Sequence, residues 1–169
     1  MDFPNSTIIQ NHGCEIYFIR HGQSVANVGP DDLYDSRLTS IGICQAQEVS
    51  GHFDLVLCSP LRRTMETLHY SKITYKELIV EHSLREIAQS IGSLLLFEKR
   101  HEPFQEESLD NFWKRSQQFH NILENHCEKL KSAGGSKKIL IVGHAFFFNA
   151  WFRKGCFPCL ENAKLIRIK

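Results

Sequence analysis

The sequence lacks an excess of charge of either sign. Twenty Lys and Arg stand against nineteen Asp and Glu, a formal charge of +1. Nucleic-acid binders usually carry a basic excess, so no nucleic-acid partner is expected. A charged partner must then be recognised locally, by a pocket, and not by a global field. Also lacking is any apolar run near the ~20 residues that span a bilayer, so no membrane partner is expected either. The start, Met1-Asp2-Phe3-Pro4-Asn5-Ser6, has no basic n-region and no long apolar h-region, which predicts no secretory leader. The cysteines at positions 14, 44, 58, 127, 156 and 159 are accordingly expected to be thiols in a cytoplasmic, reducing environment. Cys156-Phe157-Pro158-Cys159 has no second ligand pair at a suitable spacing, which sets a zinc site aside and leaves packing or surface thiols. There is no G-x-S-x-G nucleophile elbow and no P-loop. Without an internal repeat or a low-complexity linker, residues 1–169 read as one domain.

What the chain does have is an ordinary globular composition, 42% hydrophobic and 23% charged, at a length that buries roughly 70% of the unfolded surface. Four continuous apolar runs read as buried strands: Ile16-Tyr17-Phe18-Ile19, Leu55-Val56-Leu57, Leu78-Ile79-Val80 and Ile139-Leu140-Ile141-Val142. Runs without alternation suit strands covered on both faces, as in a parallel sheet flanked by helices. Between them lie helices. Thr39 is placed to N-cap one in which Ile43, Ala46 and Val49 share a face. Ser59-Pro60 has the form of a helix start, Ser as cap and Pro in the first turn. From Leu109 to Leu130, the residues Leu109, Phe112, Ser116, Phe119, Leu123, Cys127 and Leu130 recur at helical spacing on one stripe. Ala163 to Ile168 partly alternates and reads as an edge strand. The pattern predicts an α/β fold, three-layer α/β/α with a mostly parallel central sheet.

In open α/β sheets, ligands bind beyond the carboxyl ends of the strands. Arg20 and His21 follow the first run. Cys58-Ser59-Pro60-Leu61-Arg62-Arg63 follows the second, and Glu81, His82, Arg85 and Glu86 follow the third. Gly143 and His144 follow the fourth. Arginine forks suit phosphate oxygens, and a neutral imidazole serves as nucleophile or general base. A carboxylic acid protonates a departing alkoxide, and the helix starts at Ser59-Pro60 and after Gly143 would add backbone N–H donors. Phosphoryl transfer uses all of these parts. Acyl transfer has no need of two arginines.

These residues fall in motifs that resemble the histidine phosphatase superfamily, whose members include phosphoglycerate mutases. Arg20-His21-Gly22-Gln23-Ser24-Val25-Ala26-Asn27 matches R-H-G-x-S/T-x-x-N. Leu38-Thr39-Ser40-Ile41-Gly42-Ile43-Cys44-Gln45-Ala46 matches L-T-x-x-G-x-x-Q-A. Ser59-Pro60-Leu61-Arg62-Arg63-Thr64-Met65-Glu66-Thr67 resembles S-P-L-x-R-A-x-x-T, with Thr64 in place of Ala. Leu84-Arg85-Glu86 resembles L-x-E, and Val142-Gly143-His144-Ala145 resembles V-G-H-G/A. The motifs come in family order. The resemblance implies a phosphoglycerate mutase-like fold and a phosphohistidine on His21. Arg20, Arg63 and His144 would hold the phosphoryl oxygens, Asn27 would add a hydrogen bond, and Glu86 would be the proton donor. No metal and no cofactor are implied. Glu81 is a nearby competing carboxylate, and Arg62 reads as a solvated helix face.

After Glu86, Ile87-Ala88-Gln89-Ser90-Ile91-Gly92 lacks the W-E-G-type continuation and the basic, tyrosine-containing segment of the mutases. Hydrolysis of a small phosphorylated substrate or a phosphoprotein is the expectation. Mutase-type phosphotransfer and a catalytically silent phosphate-binding module are the alternatives. Lys99-Arg100-His101 reads as solvated surface, or else as a lid that recognises an acidic substrate.

Overall fold

The four apolar runs fall inside four strands: β1 (Cys14–Arg20), β2 (Ser50–Cys58), β3 (Lys72–Val80) and β4 (Lys137–Gly143). The structure is a computed structural model and describes residues 13–29, 35–87, 107–132, 134, 137–152 and 160–168. Cys156-Phe157-Pro158-Cys159 and Lys99-Arg100-His101 lie outside the described residues. β1 to β4 are mutually parallel, and β5 (Leu165–Arg167) adds antiparallel to β1, giving the order β3-β2-β4-β1-β5. The expected last strand is therefore present, at an edge.

Alternation within the runs explains the layers. Ile16, Phe18, Leu55, Leu57, Ile139 and Ile141 face one core, shared with α4 (Leu109–Ser132) and α5 (Ala145–Trp151). Ile19, Val56, Cys58, Leu140 and Val142 face the other, with Leu68 of α3 (Arg62–Tyr70) and with Val49, just beyond α2 (Ser40–Gln47). Both faces are apolar because both are covered, which is why the runs do not alternate in polarity. The result is a three-layer α/β/α arrangement.

Three local expectations need correction. β3 is not a buried strand: only Ile73 within it is buried, and Val80 is 42% exposed. It sits at the sheet edge, paired with β2 alone. Ser59 does not cap α3, and Pro60 is not in its first turn. The helix begins at Arg62 with Leu61 in the cap position, and Asp35 Oδ1 accepts the Arg62 N–H at 2.6 Å. Leu109, at the start of the α4 stripe, is exposed, whereas Phe112, Ser116, Phe119, Leu123 and Cys127 are buried as expected. Thr39 does cap α2, its hydroxyl accepting from the Gly42 N–H at 3.0 Å.

The register aligns the strand ends. Arg20 lies opposite Gly143, and Cys58 lies between Val142 and Val80. The segments that leave β1, β2, β3 and β4 thus emerge along one edge of the sheet.

Candidate active site

His21 leaves β1 with its backbone held on both sides. Its N–H donates to Gly143 O at 3.1 Å, and its carbonyl accepts from Asn162 Nδ2 at 2.9 Å. The ring is buried, and Nδ1 lies 2.7 Å from Gly22 O. A carbonyl only accepts, so Nδ1 bears the proton and Nε2 carries the lone pair. That lone pair accepts from Arg63 Nε at 3.1 Å. Burial first, then the Arg63 guanidinium and that of Arg20, hold His21 well below the usual histidine range, against the raising effect of the Gly22 carbonyl. The ring is therefore neutral and of fixed tautomer at neutral pH, with its lone pair on Nε2.

His144 follows β4 and stands 5.3 Å from His21, centroid to centroid. Its Nε2 is 2.8 Å from the buried Ser59 Oγ. Ser59 Oγ also accepts, at 3.4 Å, from the Leu61 N–H. Nδ1 is buried and has no hydrogen-bond partner among the described residues. Ser59, expected to cap a helix, instead orients this imidazole. Burial, Arg63 and His21 push His144 well below its ordinary value.

Arg63 is the buried second residue of α3, and its charge acts on His21, His144 and Glu86 alike. Arg20 Nη1 donates to Leu160 O at 2.6 Å, which leans the guanidinium toward the turn before β5. Arg62 points away and pairs with Glu66 at 2.8 Å, as a helix-face residue would.

Glu86 follows the 3₁₀ turn His82–Leu84. Its Oε2 accepts from the Phe146 N–H at 3.0 Å, and Oε1 accepts from Phe147 N–H at 3.0 Å and from Ile87 N–H at 3.1 Å. Desolvation nonetheless raises its pKa above the ordinary carboxyl value, outweighing Arg63 and these donors. Two charged neighbours, Lys76 and Glu81, are engaged elsewhere. Lys76 pairs with Asp54 at 2.7 Å, and Glu81 caps the 3₁₀ turn through Ser83 N–H and Oγ at 2.9 and 2.7 Å. His82 is exposed. The expected helix-start donors are also engaged: Asp35 takes the N–H of Arg62, and Glu86 takes those of Phe146 and Phe147.

Asn27 lies apart, in the short helix α1 (Val25–Val28). It is exposed, and its Oδ1 accepts from Ser24 N–H and Oγ at 3.0 and 3.2 Å. Its amide N–H groups are the part left for an anion.

Two glycines set the position of the loop that carries His21. A Cβ on Gly22 would lie 2.6 Å from Gly42 O, and one on Gly42 would lie 2.0 Å from Gln23 O. The loop rests on the first turn of α2, pinned by Thr67 Oγ1 to the Gly22 N–H at 2.9 Å and by Gln45 Oε1 to the Gln23 N–H at 2.8 Å. An alanine inside a helix ordinarily stabilises by up to ~1 kcal/mol over glycine. Here Gly42→Ala forces backbone against backbone, and a loss of about 1–3 kcal/mol is expected. Thermal unfolding checks the sign: the melting temperature should fall by several degrees, about 2–4 °C per kcal/mol for a chain of this size.

Sequence reasoning did not single out Asn162, Thr67 or Ser59 for these contacts. Asn162 had only its turn-forming character as a signal, and Thr67 and Ser59 had only their places in a motif. Among the described residues, no three His, Cys, Asp or Glu side chains gather to hold a metal ion. No helix among them is long and apolar enough to cross a membrane, and the cysteines described, Cys14, Cys44, Cys58 and Cys127, are free.

The family model of the histidine phosphatase superfamily (branch 1) matches residues 16–155. Among curated proteins, none matches the chain by sequence. Similar solved structures include TTHB049 from Thermus thermophilus, at 20% identity and TM-score 0.62, covering 92% of each chain. A phosphoglycerate mutase from the same organism is 21% identical with TM-score 0.60, over 91% of this chain and 92% of that one. A candidate alpha-ribazole-5'-P phosphatase from Escherichia coli is 25% identical with TM-score 0.59, over 90% of this chain and 88% of that one.

Proposed function

The chain belongs to the histidine phosphatase superfamily, and on that premise we propose that it is a metal-independent phosphatase that hydrolyses a phosphomonoester through a phosphohistidine on His21. The observation that carries this reading is the fixed tautomer of His21. Its Nδ1–H is committed to Gly22 O, and its Nε2 lone pair faces Arg63 at 3.1 Å. In the first step Nε2 forms a bond to phosphorus as the bond from phosphorus to the ester oxygen breaks, and Glu86 gives its proton to that oxygen. In the second, water attacks phosphorus, the Glu86 carboxylate takes the proton, and the P–N bond breaks to release phosphate. Arg20, Arg63 and His144 stabilise the charge on the transferring oxygens, with the Asn27 amide as a further donor. The substrate is a small phosphorylated molecule or a phosphoprotein side chain.

Release of inorganic phosphate from a panel of phosphomonoesters, undiminished by a chelator, is the test. Mutase-type transfer shares the first step but passes the phosphoryl group to an acceptor hydroxyl. A coupled mutase assay primed with bisphosphoglycerate separates the two. No phosphate release from any ester, with tight phosphate binding, would favour a silent binding module.

The pH dependence follows from two opposite shifts. Burial and Arg63 lower His21, so the nucleophile stays neutral below the ordinary histidine value of about 6.5. Desolvation raises Glu86, so the acid stays protonated above its ordinary carboxyl value. In kcat/KM, activity therefore rises with pH through the lowered His21 value and falls through the raised Glu86 value. For alkyl phosphates Glu86→Gln should remove the falling limb and cost on the order of 10²-fold. A falling limb that persists in this variant would exclude Glu86 as the proton donor.

A further inference from the structure

Glu86 is held by partners that meet at one residue outside the reacting centre. Arg115 lies on α4, with its side chain 12% exposed. Its Nη1 donates to Ser83 O and to Arg85 O, both at 2.7 Å, and these carbonyls belong to the segment that delivers Glu86. Its Nε donates to Glu107 Oε1 at 2.8 Å, and its Nη2 donates to Glu107 Oε2. The guanidinium also stacks over the rings of Phe112, at 5.0 Å, and Phe147, at 6.0 Å. Phe147 is the residue whose N–H binds Glu86 Oε1.

We propose that Arg115 is a positioning residue for Glu86: one guanidinium fixes both the peptide segment before the carboxylate and the aromatic residue whose backbone receives it. This rests on the reading of Glu86 as the proton donor. The planar fork makes the arrangement specific to arginine. Two parallel bonds reach Glu107 on one side, while the opposite nitrogen bridges two carbonyls. Glu107 neutralises the charge, so the guanidinium sits among aromatic rings without an unpaired buried cation. A lysine keeps the charge but has no fork with which to bridge Ser83 O, Arg85 O and Glu107 together.

A purely structural ion pair would affect every substrate alike. A positioning role for the acid depends on how much the leaving group needs a proton. The test is steady-state kinetics of Arg115→Lys and Arg115→Met with an alkyl phosphate and with dinitrophenyl phosphate, whose leaving group departs unprotonated. Misplacing Glu86 should lower kcat for the alkyl phosphate roughly 10- to 100-fold with little change in KM. For dinitrophenyl phosphate, kcat/KM, which reports phosphoenzyme formation and not the later step in which Glu86 takes the proton of water, should change by less than about 3-fold. In a Glu86→Gln background, Arg115→Lys should add no further loss. Equal losses of kcat/KM for both substrates, a loss for the alkyl phosphate confined to KM, additivity with Glu86→Gln, or no loss would each overturn the proposal. Should Arg115→Met fail to fold, Arg115→Lys carries the test. Trapping of the phosphoenzyme from dinitrophenyl phosphate separates the two levels. Its absence in the unsubstituted protein would sink the phosphohistidine reading itself, whereas its presence alongside equal losses would sink only the role of Arg115.

Discussion

Replacing His21 with alanine should lower phosphomonoester turnover by roughly 10⁴-fold or more and leave no phosphoenzyme. The chain should still fold, because both bonds that hold residue 21 in place are made by its backbone, to Gly143 O and from Asn162 Nδ2. What disappears is the Nε2 lone pair. None of the neighbours replaces it. His144 has its Nε2 engaged with Ser59. Glu86 has both oxygens engaged with backbone N–H groups. A quench assay, with circular dichroism as the check on folding, reads both effects. Retained turnover in a folded His21→Ala protein would place the chemistry elsewhere.

Arg63→Ala is expected to cost on the order of 10³-fold in kcat/KM and, more tellingly, to move the pH profile. Arg63 lowers His21, and it also lowers Glu86. Removing its charge lets both rise. The rising limb, set by His21, and the falling limb, set by Glu86, should therefore both shift to higher pH. Arg63→Lys keeps a positive charge but loses the Nε–H that meets His21 Nε2 at 3.1 Å. It should slow the reaction while leaving the limbs near their original positions. A profile unmoved by Arg63→Ala would mean that this guanidinium does not face the reacting groups. These are the two largest effects expected of single substitutions. One removes the nucleophile, and the other removes the charge that tunes nucleophile and acid together.

The residues that converge at the sheet edge were legible because each follows an apolar run, and parallel strands end on the same side. Arg20, His21 and His144 needed nothing more than that placement, and the continuous runs signalled a sheet covered on both faces. The Leu78-Ile79-Val80 run misled because three apolar residues look the same at an edge as in the middle of a sheet. Strand order is a tertiary fact. Ser59-Pro60 misled for a related reason. The local signature of a helix cap was genuine, but the serine hydroxyl goes to His144, 85 residues away. The helix start is served by Asp35, 27 residues earlier. Partners so distant leave no periodic trace. Arg115 is the extreme case. Its targets are backbone carbonyls of Ser83 and Arg85, and a carbonyl is present at every position of a sequence. The Gly22–Gly42 contact is equally silent, since a glycine in a motif does not say which backbone comes close to it.

One measurement bears on the central claim without a substitution. A labelled phosphomonoester is mixed with the protein, quenched within a single turnover, and the peptides are mapped. The account predicts acid-labile phosphate on His21, formed at least as fast as product is released. Turnover that proceeds with no label on His21 at any time would contradict it.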